Sequence, residues 1–230
     1  MHLNSELIFR KYYEPYFKNN IKVLEIGPAG IPSAYSKVVN NPTIQWDTLD
    51  LKSTKYISSS IDKLTYTTDN PYIFPIESNS YDIVISGNVI EHVQNIWAWT
   101  NELKRIVKVN GHIFTINPVS WEYHEAPIDC WRIYPAGYEA IAVMCDLKIE
   151  TCVFESLEID ILKKRDPKVY TIPGSSFCYY NRKDKITAIL FWNRIIRQLP
   201  YFRRYLLIPL EVAYDTIAIM RKEQSRTDTK

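Results

Sequence analysis

Apolar and polar positions along the chain predict strands and helices in alternation. Short apolar runs predict five strands in the first half, at 22–26, 44–49, 64–67, 81–86 and 112–116. Helical patterns fall between them, at 6–18, 33–39 and 96–107. Asn95 is the expected N-cap of the third helix. Elements that alternate in this order favour a mostly parallel sheet with helices on both faces.

The pattern changes after the fifth strand. Residues 117–134 form a long connection rich in aromatic and ionisable side chains. Pro135 suits the first turn of a helix that runs to about Cys145. Two more apolar runs, 147–154 and 176–180, predict strands six and seven. A connection as long as 117–134 usually has a functional role.

The C-terminal part of the chain is basic. Two amphipathic stretches, 186–199 and 205–220, predict helices there. Residues 1–181 hold 17 basic and 21 acidic side chains, whereas residues 182–230 hold 11 and 5. We therefore expect a domain at 1–181 and a basic helical extension at 182–230, packed on or near it. The extension suits a partner or a membrane surface, whereas the acidic body excludes a general nucleic-acid surface.

The composition is that of an ordinary globular domain, with 46% hydrophobic and 23% charged residues. Four scattered cysteines without a C-x-x-C pair favour a reduced, cytoplasmic setting. Residues 1–11 lack the continuous apolar run of a signal peptide. The stretch at 205–220 is short and contains Glu211 and Asp215, so we do not expect it to span a bilayer.

The first two predicted strands end in residues that suit a nucleotide. The first ends in Glu25-Ile26-Gly27, and glycines at a strand end let a ligand approach the backbone. Roughly twenty residues later the second strand ends in Asp50, which is suited to hold two ribose hydroxyls. Together the two strand ends indicate a cofactor that contains adenosine.

A dinucleotide is the alternative cofactor. Its G-x-G-x-x-G fingerprint would need glycines where this chain has Ala29 and Pro32. An NAD-dependent oxidoreductase therefore stays only as an alternative.

The order of motifs resembles the class I S-adenosylmethionine-dependent methyltransferases, of the type-11 kind that modifies small molecules and saccharides. The likeness covers about residues 20–155 and rests on four blocks, Glu25-Ile26-Gly27, Asp50, 81–86 with 89–93, and 110–113. It implies a Rossmann-like seven-stranded, mostly parallel sheet flanked by helices, here with a C-terminal helical extension. It also implies S-adenosylmethionine as the methyl donor and S-adenosylhomocysteine as the product, and we expect no metal.

The resemblance assigns roles at the cofactor. In such proteins the glycine turn passes the methionine part, the first acid helps hold its amino group, and the acid after the second strand binds the ribose. These roles fall to Gly27 with Gly30, to Glu25 and to Asp50. Ala29 stands at the usual second glycine, so the turn differs locally.

The adenine contact in these proteins comes from an acid after the third strand. Asp69 precedes Phe74-Pro75-Ile76 in the matching place, and a simple turn at 69–71 is the alternative. The cofactor-binding residues expected from the resemblance are Glu25, Gly27, Pro28, Gly30, Asp50, Leu51, Asp69, Ser86, Gly87 and Asn88.

The methyl acceptor is expected beside the fourth strand and the loop after the fifth. Ligands of such sheets lie beyond the carboxyl ends of strands near the switch in strand order, which puts 86–92 beside the reactive sulfur. His92 is either a proton acceptor or a side chain that shapes the pocket. In the loop at 121–132, His124 is the first candidate for a base, because a hydroxyl acceptor must lose its proton.

Neighbouring side chains of this loop have proposed supporting roles. Asp129 or Glu125 would orient His124, and the planar fork of Arg132 suits an anionic group on the substrate. Alternatively, the aromatic residues pack as a lid and Asp129 forms a structural ion pair with Arg132. The expected catalytic residues are His124, His92 and Asp129, and the expected substrate-binding residues are Glu91, Tyr123, Glu125, Trp131 and Arg132.

The sequence thus predicts a cytoplasmic methyltransferase that acts on a hydroxyl, or an amine, of a sugar or another small molecule. It leaves open a homodimer and a peripheral membrane contact through residues 186–220. The extension could serve as a lid, an interface or an anchor. A non-catalytic protein that binds S-adenosylmethionine and a partner is the second alternative.

Overall fold

The structure, a computed structural model, describes residues 3–52, 63–121, 123–125, 127–158, 169–171, 177–180, 191–192, 194–196, 198, 210–211 and 213–224. Its α-helices are α1 Leu3–Ile8, α2 Ala34–Val39, α3 Ile96–Ile106 and α4 Pro135–Met144. Its strands are β1 Lys22–Ile26, β2 Gln45–Leu51, β3 Tyr66–Thr68, β4 Tyr81–Gly87, β5 Val107–Pro118, β6 Lys148–Glu155, β7 Val169–Thr171, β8 Phe177–Tyr180, β9 Leu210–Glu211 and β10 Asp215–Arg221.

Seven strands form one mixed sheet in the order β3-β2-β1-β4-β5-β10-β6. Strands β1 to β5 run parallel to one another, and β10 is antiparallel to both β5 and β6. The strand order reverses between β1 and β4, which is where open α/β sheets bind ligands. The predicted Rossmann-like seven-stranded sheet with flanking helices is confirmed.

Both faces of the central strands are buried. Along β4, Ile83 and Ile85 join one apolar cluster, whereas Val84 between them joins the other. This alternation follows from the period of two along a strand. One face is covered by α3 and α4, where Trp99 and Tyr138 are fully buried. The N-terminal helical segment and α2 cover the other face.

The helices begin and end where local chemistry allows. Asn95 caps α3 as predicted, because its Oδ1 accepts a hydrogen bond of 3.0 Å from the backbone N–H of Ala98. Ser33 caps α2 in the same way through Ser36, at 3.0 Å. The predicted leading helix is present, although α1 passes at Ile8 into a π-helical turn and then a 3₁₀ turn.

Two predictions for the C-terminal part are wrong. The segment predicted as strand seven lies outside the main sheet, since β8 pairs with β7 and β9 in a separate three-stranded sheet. Residues 215–220, predicted as part of an amphipathic helix, belong to β10. The cause is burial on both faces: Ile217 and Ile219 join one apolar cluster, and Ala218 and Met220 join the other.

Strand β10 lies beyond the predicted domain boundary at residue 182, yet it is part of the main sheet of the domain. Of the predicted helix at 186–199, residues 191–192, 194–196 and 198 are helical. The rest of that stretch, and residues 199–209, lie outside the described residues, as does most of the surface expected to contact a membrane. Within the described ranges, no helix has the length and apolar character needed to cross a membrane.

The position of β10 predicts the cost of trimming its core side chains. Ile217 is 0% exposed, so Ile217→Ala should lower the free energy of unfolding by about 2–5 kcal/mol. Val143 on α4 is 79% exposed, and Val143→Ala should change it by less than about 0.5 kcal/mol. Urea denaturation of both variants measures the difference. Equal costs would contradict the placement of β10 in the core.

Candidate active site

The turn after β1 is shaped by Gly27. Its φ is +66°, and its backbone N–H donates to the carbonyl oxygen of Leu49 at 2.9 Å. A Cβ at this position would lie 2.5 Å from Cγ2 of Val89. Glycine is therefore required at position 27, because its positive φ disfavours other residues and because a side chain would collide with Val89. Gly30 has open space around it, and Pro28 is buried within the turn.

Glu25 at the end of β1 is buried and held by two donors. Its Oε2 accepts hydrogen bonds from the Ser33 hydroxyl and, at 2.9 Å, from Nε1 of Trp46. Burial raises the pKa of this carboxyl to about 7. The carboxyl group expected at the cofactor's amino group thus faces donors of α2 and β2.

Asp50 and Asp69 have different surroundings. Asp50 is partly buried, and its Oδ1 accepts from the N–H of Leu51 at 2.7 Å. Burial raises the pKa of Asp50 to about 6. Asp69 is exposed and forms an ion pair of 2.6 Å with Lys52. Next to it, Asn70 accepts from the N–H of Tyr72 at 2.8 Å, a bond typical of the turn that was the alternative to an adenine contact.

The end of β4 brings buried polar groups next to the Gly27 turn, since Ser86 pairs with Ile26. The hydroxyls of Ser86 and Tyr35 are buried and have no hydrogen-bond partner among the described residues. A Cβ on Gly87 would lie 2.1 Å from the Tyr35 hydroxyl oxygen. Buried donors without partners at a strand end are groups that a polar cofactor can satisfy.

Three side chains, one from the 3₁₀ turn after β4 and two from the loop after β5, meet at the expected acceptor side. The rings of His92 and His124 lie edge to face, 5.0 Å apart. Nδ1 of His92 is 2.5 Å from the carbonyl oxygen of Ile128. Asp129 Oδ2 lies 3.5 Å from Nδ1 of His124 and accepts its backbone N–H at 2.9 Å. The structure thus brings His92, His124 and Asp129 together.

Arg132 faces Asp129 rather than open solvent. Its two terminal nitrogens donate to the two carboxylate oxygens at 2.5 and 2.7 Å. These hydrogen bonds lower the pKa of Asp129 to about 2, so the carboxylate stays ionised. This geometry is the ion pair between Asp129 and Arg132 that the sequence left open as the alternative to substrate binding by Arg132.

Glu91 lies behind His92 and is 0% exposed. Neither carboxylate oxygen has a hydrogen-bond partner among the described residues, and the nearer imidazole nitrogen, Nε2 of His92, is 3.8 Å from Oε1. Burial raises the pKa of Glu91 to about 8. Its backbone carbonyl accepts from Cys130 at 2.7 Å and Trp131 at 3.3 Å, which ties the loop to the end of β4.

Of the expected substrate-binding residues, Tyr123 and Glu125 point away from this cluster, and Trp131 packs beside it. Tyr123 is 71% exposed, and its hydroxyl donates to Glu125 at 2.7 Å. Asp129, and not Glu125, is the acid beside His124. Trp131 donates from Nε1 to the carbonyl oxygen of Val93 at 2.7 Å and packs against Trp97.

Sequence reasoning missed the polar contacts that α1 and β10 bring to this edge of the sheet. Ser5 donates to Oδ1 of Asn88 at 3.2 Å and to Asp215 at 3.3 Å. Asn4 donates to Asp215 at 2.9 Å. Asn88 also has a positive φ of 59°. No local pattern signals contacts between residues so far apart in the chain.

Glu25 predicts a pH dependence of stability. The folded state keeps a proton up to about pH 7, whereas the unfolded carboxyl loses it near 4.5, so stability falls as pH rises between these values. The loss amounts to at most about 3 kcal/mol. Glu25→Gln should reduce this slope by the share that belongs to Glu25, because the raised pKa values of Asp50 and Glu91 add slopes of the same sign. Exposed Glu139→Gln should leave the slope unchanged in urea denaturation from pH 5 to 8. Parallel curves for Glu25→Gln and the parent would contradict the assignment.

Residues 8–115 match the family whose description is methyltransferase domain. An S-adenosylmethionine-dependent methyltransferase from Archaeoglobus fulgidus is similar in structure, with 17% identity, a TM-score of 0.54 and 94% of each chain covered. The YcgJ protein from Bacillus subtilis is 14% identical, with a TM-score of 0.55 over 98% of this chain and 100% of its own. No protein of curated function matches this chain in sequence.

A third similar structure is phosphoethanolamine N-methyltransferase 2 from Haemonchus contortus in complex with S-adenosyl-L-methionine. It is 15% identical, with a TM-score of 0.54 over 96% of this chain and 53% of its own. Likeness at such identities shows the fold, and the match over residues 8–115 supplies the enzyme class. The structure therefore has the class I methyltransferase fold, and the domain match over residues 8–115 supports an S-adenosylmethionine-dependent methyltransferase.

Proposed function

We propose that this enzyme transfers a methyl group from S-adenosylmethionine to a hydroxyl of a small molecule, with a sugar as the first candidate. The observation that carries the proposal is the pair of imidazoles, His92 and His124, with Asp129 beside the second ring. A hydroxyl must lose its proton as the new bond forms, so it needs a base. An amine acceptor is the second candidate, and it needs a base less.

The cofactor side of the proposal rests on the ends of β1, β2 and β4. S-adenosylmethionine supplies a methyl carbon bound to a positively charged sulfur. The Gly27 turn would let the methionine part approach the backbone. Asp50 would accept hydrogen bonds from the ribose hydroxyls through the oxygen that does not face Leu51. The buried hydroxyls of Tyr35 and Ser86 lie where a polar ligand would satisfy them.

On the acceptor side, His124 would take the proton. Asp129 is ionised and lies near Nδ1, so it would stabilise the imidazolium that forms. Arg132 fixes Asp129 through two hydrogen bonds and thus acts through it, in place of binding a substrate anion. Burial lowers the pKa of His92, which keeps this second ring neutral. The remaining task of the protein is alignment of methyl carbon and acceptor oxygen.

A cytoplasmic location is part of the proposal and is supported by free thiols at Cys130, Cys145 and Cys152. The expected membrane contact through residues 186–220 and the homodimer stay predictions.

A calorimetric titration followed by an acceptor screen tests the function. S-adenosylhomocysteine and S-adenosylmethionine should bind to the purified protein, and NAD should not. The screen should offer sugars and other hydroxyl compounds beside matched amines, with formation of S-adenosylhomocysteine as the readout. Turnover on amines alone would overturn the choice of acceptor. Tight binding without turnover on any compound would favour the non-catalytic alternative.

Asp50→Ala should weaken the binding of S-adenosylhomocysteine about ten- to a hundredfold, because hydrogen bonds to a charged group are lost. Asp50→Asn keeps an oxygen for Leu51 and should fall between Asp50→Ala and the parent. Asp146 follows the C-cap of α4, is exposed and pairs with Lys104, so Asp146→Asn, which suits its positive φ, serves as the control. Titration calorimetry measures the three affinities. Unchanged binding in Asp50→Ala would remove the ribose contact from the proposal.

His124→Ala should lower kcat about 10²–10⁴-fold and leave the affinity for S-adenosylhomocysteine nearly unchanged, because a base acts on the acceptor and not on the cofactor. His112→Ala is the matched control, since His112 pairs with Glu150 outside the site. Steady-state kinetics and calorimetry on the same preparations separate the two effects. Normal turnover of His124→Ala would refute the assignment of the base.

A further inference from the structure

Three side chains of the acceptor side have the donor atoms of a metal site. Glu91, His92 and His124 can each offer one ligand atom, and these atoms lie within 4.8 Å of one another. Two come from the 3₁₀ turn after β4, and the third comes from the loop after β5. The hydrogen bonds from Cys130 and Trp131 to the backbone of Glu91 hold these two segments together.

Glu91 is the independent sign that a ligand is bound there. It is fully buried, and neither oxygen has a hydrogen-bond partner among the described residues. A buried carboxyl group without hydrogen-bond partners lowers stability even when it is protonated, and an ionised one costs more. Glu25, the comparable acid at the end of β1, has donors from Ser33 and Trp46. The protein satisfies one buried acid and leaves the other facing two imidazoles.

Both imidazoles are oriented as metal-bound histidines usually are. Nδ1 of His92 faces the carbonyl oxygen of Ile128 at 2.5 Å. Nδ1 of His124 faces Asp129 at 3.5 Å, and Arg132 holds that carboxylate in place. A carbonyl or a carboxylate on the second nitrogen is the typical outer partner of a ligating histidine. This arrangement directs Nε2 of His92 toward Glu91, at 3.8 Å.

We propose that Glu91, His92 and His124 together bind one divalent transition-metal cation, with Zn²⁺ as the first candidate. Two imidazoles and one carboxylate suit zinc or ferrous iron and leave a coordination position open. Ligand bonds of about 2.1 Å put donor atoms of a tetrahedral site about 3.4 Å apart. The donor atoms lie up to 4.8 Å apart, so the side chains would move by about an ångström on binding the cation.

If the proposed function is right, the cation would also activate the acceptor hydroxyl for methylation. An acceptor hydroxyl at the open position would bind the cation, which lowers the pKa of the bound oxygen. Its proton would then leave to water, and the O–H bond electrons would stay on the oxygen that attacks the methyl carbon. As the O–C bond forms, the C–S bond breaks and its electrons go to the sulfur, which leaves as neutral S-adenosylhomocysteine. The two imidazoles are ligands in that state, so the role of His124 as a base belongs to the cation-free protein. This proposal departs from the expectation of an enzyme without metal, which stays a prediction until metal binding is measured.

Metal binding to the full chain tests the site directly. The protein is stripped with a chelator, dialysed, and titrated with Zn²⁺ by calorimetry, with metal content measured after gel filtration. One equivalent should bind, and Glu91→Gln, His92→Ala and His124→Ala should each weaken binding by about tenfold or more. His112→Ala, which removes a histidine paired with Glu150, should bind as the parent does. Co²⁺ in place of Zn²⁺ gives a visible spectrum that reports the coordination.

Absence of stoichiometric binding, or equal affinity in the parent and the three variants, would overturn the proposal. S-adenosylhomocysteine binding and circular dichroism of each variant show that it is folded, and His92→Gln replaces His92→Ala if the latter is not. The readout does not use turnover. A protein that binds Zn²⁺ at this site but methylates no hydroxyl would refute the proposed function and leave the metal site standing.

Discussion

The parallel pairing of β4 with both β1 and β5 is the constraint on which the rest of the site depends. Its register puts Ser86 opposite Ile26 on one side and opposite Thr115 on the other. The turn after β1 and the segment after β4 must therefore leave the sheet side by side. Close approach there explains why Gly27 and Gly87 have no room for a side chain. A change in this register by one residue would move every buried side chain of β4 to the wrong face.

The strands and helices of the first half could be predicted because their signals are local. Asn95 caps α3, and the end of β1 shows its acid and its glycine within three consecutive residues. Strand β10 gave no such signal. Its residues are buried on both faces and bonded on both edges, so neither a period of two nor a period of 3.6 separates apolar from polar positions. Only the pairing with β5 and β6 determines that this segment is a strand.

The residue types of the site could be predicted from the sequence, but the contacts between these residues could not. His92 and His124 are both visible in the sequence, but their 5.0 Å approach depends on the loop bonds to the backbone of Glu91. Spacing along the loop gave no ground for preferring Asp129 over Glu125 as the acid beside His124. The structure separates them, because Arg132 holds Asp129 inside the cluster, whereas Glu125 pairs with Tyr123 at the surface.

The two buried acids at the carboxyl edge of the sheet, Glu25 and Glu91, differ in whether the folded chain supplies them with hydrogen-bond donors. Glu25 meets donors from α2 and β2, so its environment is complete within the folded chain. Glu91 meets no such donors among the described residues, although its backbone helps fix the loop. A buried carboxyl group without hydrogen-bond partners lowers stability, and such groups in a native structure usually have a functional explanation. The unpartnered carboxyl group of Glu91 is therefore the strongest physical argument for the proposed cation at the acceptor side.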